Sequence, residues 1–124
     1  MRHIRVKCSI IWLKIIVFIM AFHLYIMRHA KSDWSGPGTS DFDRTITKRG
    51  RKNAKRIGQW MTEHKRIPQR IISSPANRAK QTIELVIEEI SEFNSENIRF
   101  EKALYLADPD TLLEQVQLYK DDVN

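Results

Sequence analysis

The sequence predicts an α/β fold, a three-layer sandwich around a mostly parallel sheet. Two observations carry this reading. Short apolar runs alternate with longer stretches of helical periodicity, in the order strand, helix, strand, helix, short strand, helix. The first two strand-like runs also end in polar, chemically useful residues, as strands of a parallel sheet do when they deliver groups to one edge. With two or three strands the sheet is thin and has an open edge, so the sandwich reads as incomplete toward the C-terminus.

The chain divides at about residue 21. Residues 1–21 form an N-terminal extension: Arg2, Arg5 and Lys7 precede an apolar stretch, residues 10–22, broken by Lys14. Basic then apolar is the pattern of a signal or anchor segment. Against that stand Lys14, the absence of a small-residue cleavage site, and the way the stretch runs on into the first core strand. Met20 offers a plainer account, as a true start with residues 1–19 an upstream over-extension; an ordinary N-terminal helix is the third reading.

Residues 22–124 form the domain. Leu24, Tyr25, Ile26 and Met27 read as a strand buried on both faces. Residues 30–45, rich in Gly, Ser and Asp around Pro37, form a long loop, and loops of that length in small domains tend to be functional. Thr47 caps a helix running to about His64, with Ala54, Ile57, Gly58 and Met61 on its inner face. Residues 70–73 form a second strand. A helix from about Ala76 to Ile90 follows, with Ala79, Ile83, Val86 and Ile90 as its apolar stripe. Residues 94–97 form a polar turn and residues 98–100 a short third strand. Asp108 caps a last helix with Pro109 in its first position, running to about Tyr119. Residues 121–123 resemble the approach to another strand.

Composition narrows the functional classes. The charge is +6, from 21 Lys and Arg against 15 Asp and Glu, which favours anionic partners. Cys8 is the single cysteine, so no internal disulfide forms, and a reducing, cytoplasmic compartment fits. No spacing of Cys and His suits zinc. Residues 44–56 hold seven Lys and Arg and no acid, but no interleaved aromatics for base stacking, so a solvated helix face is preferred to nucleic-acid binding.

The first strand ends in Arg28-His29. The second ends in Ser73-Ser74-Pro75, with Arg78 in the first turn of the next helix. A right-handed crossover puts both ends on one sheet edge, so Arg28, His29 and Arg78 converge. Guanidinium forks and the free N–H groups of a helix N-terminus together make an oxyanion site, with Arg44 from the long loop as a third cation. A phosphoryl group, with close to two negative charges, suits such a site. A neutral His29 imidazole can then attack phosphorus and split one displacement into two. With the arginines stabilising charge, no metal or other cofactor is called for.

Ile26-Met27-Arg28-His29-Ala30-Lys31-Ser32 resembles the signature of the histidine phosphatase superfamily, usually written Arg-His-Gly. The run from Ser73-Ser74-Pro75 through Arg78 to Gln81-Thr82 resembles its second motif. Ala30, the Ser32-Asp33-Trp34 run, and Asp41-Phe42-Asp43-Arg44 followed by Thr47-Lys48-Arg49-Gly50 look most like the SixA-type phosphohistidine phosphatase branch. The resemblance implies His29 as phosphoryl acceptor and Arg28 and Arg78 as phosphate clamps, with Arg44 and Ser32 as further phosphate-binding groups. It implies no metal, and as substrate a phosphorylated protein or a small phosphorylated molecule. A non-catalytic phosphate- or phosphopeptide-binding module and a phosphoglycerate mutase-like phosphotransferase are the alternatives. The superfamily's second histidine, in a Gly-His pair after a later strand, has no counterpart here: His3, His23 and His64 all precede Arg78. The expectation is a C-terminally truncated domain of weak or no activity. Neither Glu101 nor Asp108 is assignable as the general acid.

Overall fold

The computed structural model describes residues 2–9, 19–34, 36 and 38–120. Four strands and three α-helices follow in the order β1 (Arg2–Ser9), β2 (Ile19–Ile26), α1 (Lys48–Glu63), β3 (Ile71–Ser73), α2 (Asn77–Ile87), β4 (Ile98–Phe100) and α3 (Pro109–Tyr119). Single 3₁₀ turns at Ser95–Asn97 and Lys102–Leu104 flank β4.

The fold is α/β with a parallel element, as the alternation predicts: β3 and β4 pair in parallel, Ile71 opposite Ile98. In the N-terminal extension a strand stands where the third reading places a helix. Arg2–Ser9 and Ile19–Ile26 form an antiparallel hairpin, Arg2 opposite Ile26 and Ser9 opposite Ile19. Residues 10–18, most of the apolar stretch behind the anchor reading, lie outside the described residues, as do residues 121–124. Among the described residues no helix is long and apolar enough to cross a membrane.

The first core strand is also more open than its composition predicts. Ile26 is 44% exposed, and Leu24 and Tyr25 are half-buried. The register explains this. Strand β2 pairs with β1 and β3 with β4, in two separate two-stranded sheets.

Helix α1 begins where Thr47 predicts, the Thr47 hydroxyl accepting from the Gly50 N–H at 3.0 Å. It ends in a Schellman-type closure. Arg66 N–H donates to Met61 C=O and Lys65 N–H to Thr62 C=O, with Lys65 at φ 52°. Asp108 caps α3 by accepting from Thr111 N–H at 2.8 Å, with Pro109 at the first position.

The core lies between α1 and α2: Ile46, Ala54, Met61, Leu85, Val86 and Ile90 are buried, with Met27, Ala30, Ile57, Ile67 and Phe93 packed around them. Fully burying an aliphatic side chain of this size contributes roughly 1.5–3 kcal/mol. Gly58 lets the two helices close on each other, since a Cβ there would lie 2.3 Å from the Val86 carbonyl oxygen. The α1 stripe is as predicted. On α2 the face is rotated: Arg78, Thr82, Leu85 and Val86 are buried, while Ala79 and Ile83 are half-buried. Two polar side chains turn inward because they are committed to the contacts described next.

Candidate active site

Beyond β2 the chain runs through Met27, Arg28, His29 and Ala30 and is gripped by both helices. Ala30 N–H donates to the Thr82 hydroxyl at 3.0 Å, and that hydroxyl donates to the Arg78 carbonyl at 2.7 Å. Thr82 is 3% exposed, so this relay ties the His29 segment to the turn of α2 that carries Arg78. On the other side Thr47 N–H donates to the Lys31 carbonyl at 2.7 Å. Gly50 permits that approach, because a Cβ there would lie 2.6 Å from the Lys31 carbonyl oxygen.

His29 is half-buried, and its Nδ1 lies 2.7 Å from the Ala30 carbonyl oxygen. A carbonyl accepts and does not donate, so Nδ1 carries the hydrogen in this contact. In the neutral ring the lone pair is then on Nε2.

The long loop is closed at its base. Ser32 bridges to Ile46, Asp33 N–H donates to the Thr45 carbonyl at 2.9 Å, and Ile46 N–H donates to the Gln81 side-chain oxygen at 2.9 Å. The loop docks on the start of α2: Asn77 N–H donates to the Phe42 carbonyl at 2.9 Å and the Asn77 side-chain amide to the Asp43 carbonyl at 3.1 Å. The expectation that the first amides of this helix are free for an anion is corrected at Asn77, whose N–H is used by the loop.

This docking gathers three side chains on Asp41. Arg78, 6% exposed, donates from Nη1 to the Asp41 main-chain carbonyl at 2.6 Å and from Nη2 to Oδ2 at 3.2 Å. Arg44, 8% exposed, pairs Nη2 with Asp41 Oδ1 at 3.1 Å. Its guanidinium carbon stands 3.6 Å from the centroid of the Trp34 ring, and its Nε is buried with no hydrogen-bond partner among the described residues. The Tyr105 hydroxyl donates to Asp41 Oδ2 at 2.6 Å, and Phe42 meets the Tyr105 ring edge to face, centroids 5.2 Å apart. The Tyr105 hydrogen bond, reinforced by both guanidinium charges, holds the Asp41 carboxyl below its ordinary value. The same hydrogen bond raises Tyr105 and keeps its hydroxyl protonated.

Arg44 and Arg78 are thus brought together on Asp41, and the relay through Thr82 ties the His29 segment to the Arg78 turn. Arg28 is exposed and lines a cavity of about 140 Å³ with Met27, Ala30, Asn53, Ile57 and Thr82. Ser32 is placed by its backbone bridge. The two carboxyl groups left unassigned are both engaged: Glu101 accepts from the Tyr119 hydroxyl and Asp108 caps α3. Asp41, Trp34 and Thr82 stand in the motif runs of the sequence without a role read for them, and no role is read for Tyr105 either. The signal for Asp41 was its place three residues before a candidate cation; Tyr105, 64 positions away, gave none.

Residues 24–104 match the histidine phosphatase superfamily, branch 1. An uncharacterized chloroplast protein of Arabidopsis thaliana is 30% identical over 82 residues, 66% of this chain and 38% of its own length. An uncharacterized Mycobacterium leprae protein is 30% identical over 100 residues, 78% of this chain and 58% of its own. Among solved structures, the Agrobacterium tumefaciens protein assigned as the phosphohistidine phosphatase SixA superposes with a TM-score of 0.69 at 29% identity, covering 75% of this chain and 58% of that one. The protein histidine phosphatase SixA in complex with tungstate gives 0.67 at 25% identity, covering 79% and 62%. The chain thus spans three-fifths or less of the length of most of these relatives. On the two motifs, the fold and the family match together, the chain belongs to the histidine phosphatase superfamily, in its SixA-type branch.

Proposed function

We propose that this chain carries the nucleophile and the phosphate clamps of a phosphatase that acts on phosphohistidine in a protein, through a phosphohistidine intermediate on His29. The observation that supports it most directly is the fixed His29 ring, its Nδ1–H donated to the Ala30 carbonyl and its Nε2 left with the lone pair. Nε2 attacks phosphorus, the bond from phosphorus to the leaving group breaks, and the leaving group takes up a proton. Water then attacks the phosphohistidine, the P–N bond breaks, and inorganic phosphate departs with the ring restored. Arg78 and Arg44 stabilise charge on the equatorial oxygens, and Arg28 guides the phosphoryl group from the exposed side. A protein substrate is preferred to a small phosphomonoester because the exposed surface of α1 beside this site is strongly cationic. A cytoplasmic setting agrees with the lone Cys8.

Binding without turnover is a second reading, favoured by one observation: Glu101 and Asp108 are committed to Tyr119 and Thr111. Turnover separates the two. The chain is assayed on a phosphohistidine-bearing protein, and acid-labile, alkali-stable phosphate on His29 is sought by mass spectrometry. His29→Ala is expected to lose turnover on the order of 10³-fold or more and all of the adduct. Equal turnover by His29→Ala rejects the mechanism; phosphate binding with neither turnover nor adduct in the native chain selects the binding module.

A further inference from the structure

We propose that Asp41 is the positioning residue of this site: its one carboxylate, held by the Tyr105 hydroxyl, sets the orientation of both Arg44 and Arg78. The inference rests on the reading of these arginines as phosphate clamps and adds what aims them.

Two guanidiniums brought to one place repel each other, and each long side chain carries rotamer entropy that an anion must overcome on binding. Asp41 answers both costs before any anion arrives. Its Oδ1 takes Arg44 Nη2 at 3.1 Å and its Oδ2 takes Arg78 Nη2 at 3.2 Å, so the two cations are bridged by one group. Its main-chain carbonyl takes Arg78 Nη1 at 2.6 Å, which fixes the plane of that fork rather than one atom of it. The carboxylate is itself located by Tyr105 at 2.6 Å, and Tyr105 by the edge of Phe42. Trp34 covers one face of the Arg44 guanidinium.

What remains open is informative. Arg44 Nε is buried without an acceptor among the described residues. A buried donor left unpaired is unfavourable, and an oxyanion that reached it would relieve that. Asp41 therefore does not saturate Arg44; it occupies one terminal nitrogen and does not engage Nε. A carboxylate that merely filled the phosphate position would be expected to take that donor as well.

The test reads anion binding, which does not depend on chemistry at His29. Dissociation constants of inorganic phosphate and of tungstate are measured by calorimetry for the native chain and for Asp41→Asn, Tyr105→Phe and His29→Ala, with thermal melts alongside. Asp41→Asn is expected to weaken phosphate about tenfold or more, and Tyr105→Phe about threefold in the same direction. In turnover, both are expected to raise KM more than they lower kcat. His29→Ala is expected to lose turnover. Tighter phosphate binding by Asp41→Asn would show a competing carboxylate and overturn the proposal. So would unchanged affinity in Tyr105→Phe, the milder change should Asp41→Asn fail to fold, and so would a native chain that binds neither anion at about 10 mM. Native turnover that fails while these affinity shifts hold counts against the phosphatase reading alone.

Discussion

Asp41 shows how one side chain couples stability to pH. Its carboxyl is held below its ordinary value by the Tyr105 hydrogen bond and then by the two arginines, so the folded state favours the charged form. A depressed carboxyl contributes stability that is fully present above its unfolded value, about 3.9, and is lost as pH falls through the lower folded value. The stability gap between the native chain and Asp41→Asn is therefore expected to be flat from about pH 7 to 5 and to shrink below about pH 4. Urea melts across that range check it; a gap that stays constant at the acid end would mean the carboxylate charge is not what the cluster stabilises. Asp108 is lowered for a different reason, its hydrogen bond to the Thr111 N–H at the start of α3, so its own acid loss is local to that cap.

At the scale of elements, the crossing of α1 and α2 decides where both halves of the site stand. Gly58 is an unfavourable helix residue, by about 1 kcal/mol relative to Ala. It is nevertheless required, because a Cβ would sit 2.3 Å from the Val86 carbonyl and 2.8 Å from the Glu89 Cβ. Backbone cannot yield as a flexible side chain does, and overpacking of this kind costs about 1–3 kcal/mol. Gly58→Ala is expected to destabilise the chain on balance, by about 1–2 kcal/mol, despite its better propensity. A raised melting temperature would show that the helices separate freely. The pair is also joined at its edges, Lys55 to Glu88 at 3.1 Å and the Thr62 hydroxyl to the Glu89 carbonyl at 2.8 Å, and these follow the crossing rather than set it.

Over the whole molecule, charge is distributed against helix stability and toward an anionic partner. Lys48 and Arg49 open α1 with no acid in the first turn, which the helix dipole disfavours by about 0.3–1 kcal/mol per charge. Arg51, Lys52, Lys55 and Arg56 continue the exposed cationic surface. The N-terminal end of that helix abuts Lys31, two residues from His29. The expected consequence is a KM for an acidic phosphoprotein that rises severalfold between about 50 and 300 mM salt, as the Debye length falls below 10 Å. A small phosphate ester, reaching only the clamps, is expected to respond less. Equal salt dependence for both substrates would remove the helix from the recognition of protein partners.

Local chemistry made the elements legible. Thr47 before a periodic apolar face, and Asp108 before Pro109, announce two helix starts because a cap satisfies N–H groups within three residues of itself. Arg28-His29 and the Ser73-to-Arg78 run likewise read as a candidate phosphate site, since each motif is contiguous. Tertiary structure alone decided how that site is held. The inward turn of Arg78 and Thr82 on α2, against the Ala79 and Ile83 stripe that hydrophobicity predicts, follows from contacts to Asp41 and Ala30 lying 37 and 52 positions away. The pairing of β2 with β1 and the docking of Tyr105 on Asp41 across 64 positions are of the same kind. Such contacts depend on which surfaces meet after the chain has closed, and periodicity and capping, which act over a few residues, do not encode them.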